Sequence, residues 1–213
     1  MKKIILVLII SLVLMQSCVT SLQPIVTHNT AILDDRLAGN WNSDGQDYTV
    51  QKFHNSDLFK ELKETGKNKD DAGKPLSKKD KEDSILLSKS YIVKYRKDTI
   101  EYHLLGSLVK LNGQFFMNFM AIDFGMNDRL ATNTIARVQF NNSNTVKLDF
   151  IDGSFLYEQV KAGRLKIKNE RDDLYDTFLI TASTNELQQF LQKYGSDPRF
   201  FNKENSVTLT RNN

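Results

Sequence analysis

The sequence predicts a mainly β domain of about eight to ten antiparallel strands, closed or nearly closed into a barrel, with one or two short helices. Three observations carry this expectation. From Arg36 onward, segment after segment alternates apolar and polar residues, the period of a strand with one face on a core. Turn-forming clusters such as Asp44-Gly45 and Asn141-Asn142-Ser143-Asn144 separate neighbouring runs at hairpin distance. Only two stretches show the helical period.

Leu37 to Asn42 is a short apolar opening, and Asp44-Gly45 turns it into Gln46–His54, where Tyr48 and Val50 alternate. Lys89 to Arg96 sets Tyr91, Val93 and Tyr95 on one face, and Thr99 to Val109 continues with Ile100, Tyr102 and Leu104. Lys97-Asp98 between them suits a tight hairpin. Gln114 to Ile122 is almost wholly apolar and predicts a strand buried on both faces or lining a packed interior. Thr134, Ala136, Val138 and Phe140 alternate, as do Val146, Leu148 and Phe150, on either side of the asparagine turn.

Ser154 to Ala162 carries Phe155, Leu156, Gln159 and Val160 on one stripe and stops at Gly163. A clearer helix follows before the last strand. Ser183 and Glu186 form a capping box, and Leu187, Phe190, Leu191 and Tyr194 recur on one face as far as Gly195. Val207, Leu209 and Arg211 alternate in a terminal strand.

A charged loop is expected at about 57–84. Its densest part, Lys60 to Asp83, holds 8 lysines and 7 acids, too few apolar groups to offset the entropy of ordering. A helical start near Leu58 to Leu62 is compatible with the pattern.

Composition excludes several classes. A chain of 213 residues can bury one sizeable core, so the single cysteine is needed neither for a bridge nor for a metal. Lys plus Arg is 29 and Asp plus Glu is 26, a net charge of +3, which falls to +1 if Lys2 and Lys3 are removed with a leader. No clustered basic excess marks a nucleic-acid binder.

The N-terminus has the plan of an export signal. Met1-Lys2-Lys3 is a cationic start, and Ile4 to Met15 is apolar but for Ser11, too short to span a bilayer. Leu14-Met15-Gln16-Ser17-Cys18 resembles the lipobox of bacterial lipoproteins, in which a small residue precedes an acylated cysteine. The resemblance implies a signal peptide over residues 1–17 and lipidation of Cys18. It implies, with Val19 rather than Asp after the cysteine, an outer-membrane protein held by its lipid and facing the periplasm. Residues 18–34, with Pro24 and no clear period, are expected to be a tether, leaving 35–213 as one domain.

Leu37-Ala38-Gly39-Asn40-Trp41 resembles the Gly-x-Trp opening of lipocalins and of smaller lipocalin-like bacterial lipoproteins. The resemblance implies that Gly39 permits a tight bend, that Trp41 plugs the closed end, and that Arg211 on the last strand lies over the indole. By itself, Trp41 is equally a large core residue.

Catalytic residues are not expected. His28, His54 and His103 lack metal-ligand spacing, so neither a metal nor a cofactor is anticipated. Asp123-Phe124-Gly125 copies a kinase triplet without the rest of the kinase set and is expected to be a turn. Asp152-Gly153 fits a turn before a helix N-terminus. The chain has thirteen Phe and seven Tyr, which either line a ligand cavity or fill the barrel. If a cavity exists, Tyr91, Tyr102, Phe116 and Phe119 are the expected ligand contacts. Two functions follow as expectations: a binding module for a lipid or other apolar small molecule, or an envelope interaction protein with a filled core.

Overall fold

The computed structural model describes residues 19–60, 77–97, 99–122, 130–172 and 177–212. The expected signal peptide, Cys18, residues 61–76 of the charged loop, Asp98 and the Asp123-Phe124-Gly125 triplet lie outside the described residues.

Two short strands, β1 (Thr20–Ser21) and β2 (Ala31–Ile32), precede the barrel. The wall then runs through β3 (Gly39–Ser43), β4 (Gln46–Lys52), β5 (Ser90–Lys97), β6 (Ile100–Leu111), β7 (Gln114–Ala121), β8 (Asn133–Asn142) and β9 (Thr145–Ile151). Each of these pairs antiparallel with the next. After an excursion containing β10 (Asn169–Asp172) and β11 (Thr177–Ile180), the last strand β12 (Phe201–Arg211) pairs with both β9 and β3. The ring of eight antiparallel strands is therefore closed, as the alternation predicts. Asp44 and Gly45, at φ 50° and 80°, make the two-residue turn between β3 and β4.

Among the described residues, α1 (Lys78–Ser88), α2 (Gly153–Lys161) and α3 (Thr184–Tyr194) lie outside the wall. Asp152 caps α2 by accepting from the Phe155 N–H. The Ser183–Glu186 capping box starts α3, and Leu187, Phe190 and Leu191 form its buried stripe.

The wall separates two cores. Trp41, Tyr91, Leu108, Met117, Ala136, Val146 and Leu148 point inward. Val109, Phe116, Ile135 and Ile151 point outward and are covered by Leu156 of α2, Leu187 and Leu191 of α3, and Ile180 of β11. This is why Gln114 to Ile122 is almost wholly apolar: β7 has a core on each side.

The expected tether is corrected by the same outer core. Val19, Ile25, Val26 and Ala31 are buried. β1 pairs with β8 and β11, and β2 pairs with β6. Two buried asparagines on the wall clamp the segment. Asn118 Oδ1 accepts the Ile25 N–H at 3.1 Å, and Asn118 Nδ2 donates to Asn133 Oδ1 at 2.8 Å. Asn133 in turn donates to the Ser21 carbonyl, while Thr184 and Gln188 of α3 bond the carbonyls of Pro24 and Ile25. Each buried large aliphatic side chain contributes roughly 1.5–3 kcal/mol, which the weak local period does not reveal.

The charged stretch is also more ordered at its far end than expected. Ser77 and Asp80 form a reciprocal capping box, Lys78 and Glu82 pair at i,i+4, and α1 results. No buried stripe is needed, since all of its residues remain at least partly exposed.

Replacing Asn118 by Ala strands the buried Ile25 N–H and one Asn133 acceptor, a cost of about 2–4 kcal/mol. The expected outcome is a lower urea midpoint and faster amide exchange over residues 19–33 than over the barrel strands. Unchanged exchange there would contradict the clamp.

Candidate functional site

The barrel has one closed end, and the residues that close it come from four elements. Trp41 on β3 is buried, and its indole Nε1 donates to the Leu37 carbonyl at 2.9 Å. The Arg211 guanidinium at the end of β12 lies 4.3 Å from the Trp41 ring. Its nitrogens donate to the carbonyls of Ala38 at 3.0 Å and Arg36 at 2.8 Å, so the cation is fixed in place. Gly39 has φ +144°, and a Cβ there would collide with Arg211 Nη1, which is why the first position of the strand carries no side chain. The structure thus brings Gly39, Trp41 and Arg211 together.

Arg36 adds a second cation over an aromatic. It lies 3.7 Å from the Phe140 ring and is paired with Asp34 at 2.6 Å. Tyr91 at the start of β5 completes the floor. Its hydroxyl accepts the Asp34 N–H at 2.6 Å and donates to the Asp34 carbonyl at 3.0 Å. Burial pushes this hydroxyl up to about 12, so it stays protonated and tied to the backbone.

Above this floor the interior is not filled. A cavity of about 410 Å³ extends toward the end where β3 turns into β4 and β5 into β6. Leu37 lies at its base, and Val93, Met117, Phe119, Leu148 and Phe150 line its walls. Thr132 and Thr134 supply hydroxyls on one side. Tyr48 and Tyr95 stand nearer the mouth, with ring centroids 5.6 Å apart, and Tyr102 stacks on Tyr95 at 5.0 Å. Burial, with the neighbouring Tyr95 hydroxyl, raises the Tyr48 hydroxyl above its ordinary range; burial and Tyr102 do the same for Tyr95. The site therefore offers an apolar bore with neutral hydroxyls and, among the described residues, no charged group in its lining.

The four expected ligand contacts separate. Phe119 lines the cavity, Tyr102 stands at its rim and Tyr91 lies beneath it. Phe116 is a correction: it faces outward, against Phe201 and the backbone at Gly195. Residues three apart on a strand point to opposite faces, so Phe116 and Phe119 cannot share one interior. The same alternation, carried through every strand, would have named Tyr48, Tyr95, Met117, Leu148 and Phe150.

A compact ionic cluster sits on the outer wall. Asp149 is buried and accepts from Lys147 at 2.7 Å, Ser206 at 2.7 Å, Gln139 at 2.8 Å and Arg137 at 3.0 Å. Arg137 also donates to the Gly195 carbonyl, linking the wall to the end of α3. Burial pushes the Asp149 carboxyl up, but the hydrogen bonds from Lys147, Ser206 and Arg137 outweigh it and hold the group below its usual value. Among the described residues, no three His, Cys, Asp or Glu side chains converge on a metal position.

No family model, curated protein or solved structure matches the chain.

Arg211→Met removes the cation over Trp41 and the carbonyl bonds to Ala38, Arg36 and Ser143, so a loss of about 2–3 kcal/mol and a shifted Trp41 emission are expected. Unaltered fluorescence with full stability would rule out the closing role. For Asp149 the folded pKa lies below the unfolded value near 3.8. Its contribution is therefore complete above that pH and is lost as pH falls through the folded value. Asp149→Asn is expected to flatten the stability–pH curve below about pH 4, measured by chemical unfolding; an unchanged acid limb would refute this.

Proposed function

We propose that this chain is an envelope lipoprotein, anchored through acylated Cys18 at the periplasmic face of the outer membrane, whose barrel binds a small apolar or amphipathic molecule. The single observation that supports the binding reading is the bore of about 410 Å³, closed at the Trp41–Arg211 end and apolar along its walls. That volume falls in the lower part of the range typical of ligand pockets. Apolar walls recognise a hydrocarbon or aromatic body. The tyrosine and threonine hydroxyls near the mouth accept or donate to an uncharged or weakly polar end. Among the described residues no ionised group lines the bore, so the bore itself suits an uncharged body, because burying an unpaired charge is costly.

The anchoring part rests on the cationic start, the twelve-residue apolar stretch and Ser17-Cys18. More than one acyl chain gives stable attachment, so lipidation would hold the body at the bilayer surface.

Gentle purification from native membranes followed by mass spectrometry is expected to recover a stoichiometric small molecule. Thr134→Trp, which fills the bore, is expected to reduce that recovery at least tenfold, while Thr49→Trp on the exposed outer side of β4 leaves it unchanged. Equal recovery from both variants would overturn the binding reading. Separately, Cys18→Ala is expected to abolish fatty-acid labelling and to release the protein from membranes; persistent labelling would overturn the anchor.

A further inference from the structure

The stretch from the end of α2 into β10, the sheet edge two strands from β1, concentrates positive charge. Residues 161–171 (KAGRLKIKNER) hold Lys161, Arg164, Lys166, Lys168 and Arg171 against one acid, Glu170. All five cations are exposed, while Leu165 between them is buried in the outer core. Without its leader the chain has a net charge of only +1, so this stretch is a local excess of +4 on a body otherwise net acidic.

Several of these cations are held rather than free to wander. Arg171 and Lys161 lie over the Tyr157 ring at 4.2 and 5.6 Å. Arg164 donates to Gln159 at 3.0 Å, and Lys168 pairs with Glu186 at 2.9 Å. Arg164, Lys166 and Lys168 also border a groove of about 890 Å³ along α3, where Lys193 adds a further cation over a floor containing Phe190 and Tyr194.

The register ties this stripe to the site of the expected anchor. Thr20 pairs with Leu179, Leu179 with Glu170, and Phe178 with Arg171. The row beginning at Val19, one residue before Thr20, therefore points through Phe178 to Arg171 across two strand spacings, about 10 Å. Val19 is buried in the outer core. A lipid on the residue before Val19 would bring Arg171 and the cations that precede it toward the headgroups.

We propose that the cationic edge from Lys161 to Arg171, with Lys193, is a docking face for anionic phospholipid headgroups and fixes how the barrel stands on the membrane. The occupant follows from charge complementarity and from the point where the chain leaves the body toward Cys18. This rests on the anchoring reading for its place in the cell, but the contact is an electrostatic property of the folded chain and is measured without the acyl group.

The test uses the full chain made by cell-free synthesis, leader included, so that Cys18 is unacylated and partition of Ile4–Met15 is common to every arm. Binding is measured by co-sedimentation with vesicles of phosphatidylcholine alone or mixed with phosphatidylglycerol. The wild type is expected to prefer the anionic vesicles at least tenfold at low salt and to lose that preference as salt is raised. The variant R164Q/K166Q/K168Q is expected to lose about 100-fold on anionic vesicles, near fivefold for each cation. The control K78Q/K79Q/K81Q, with the same charge change on α1, is expected to lose less than threefold. Equal losses in the two variants, or no preference for anionic vesicles, would overturn the docking face and leave an acidic protein as the partner of the edge. Failure of the anchor would instead show as absent acyl labelling of Cys18 in cells.

Discussion

A barrel strand whose side chains are apolar on both faces must be covered on both, and the rest of this structure follows from that requirement. β6, β7, β8 and β9 send apolar residues outward as well as inward: Val109 and Leu111, Phe116, Ile135 and Ile151 lie in the outer core. The inward set is satisfied by closure of the ring. The outward set needs a second layer, which the N-terminal segment, α2, α3 and β11 supply. This also explains why a chain of this length spends a long excursion between β9 and β12: the excursion is the cover for the wall.

The outer layer is specified by polar groups as much as by burial. Asn118 and Asn133 would be costly on an apolar surface without partners, and they find them in the N-terminal backbone. Arg137 and Asp149 act in the same sense at the other side of the layer, where Arg137 reaches the carbonyl that ends α3. The segment that could have been a loose leash is thereby registered on the wall.

Inside the ring the two ends differ in kind. At one, cation–π contacts and backbone bonds from Arg36, Arg211 and Tyr91 lock the side chains. At the other, aromatic rings border space. Gly106 on β6 opposes Tyr91, and a Cβ there would lie in ordinary contact with Met117, Phe119 and Val93. A floor fixed by hydrogen bonds thus lies beneath an apolar void with a tyrosine rim.

The sequence by itself determined the eight wall strands, both helices of the excursion, their caps and the turns at Asp44-Gly45 and Asn141–Asn144, because these depend on local period and short-range hydrogen bonding. Gly39, Trp41 and Arg211 were legible through a short motif and a strand end. What only the tertiary structure decided was everything set by contacts distant in the chain. Residues 19–34 show no period, since their partners are Asn118, Ile180 and α3, far along the sequence. Phe116 and Phe119 are equally aromatic, and only consistent use of strand parity places one outside and the other within. The bore itself could not be read at all: whether bulky side chains meet or leave a gap depends on ring closure and strand stagger, which no local pattern encodes.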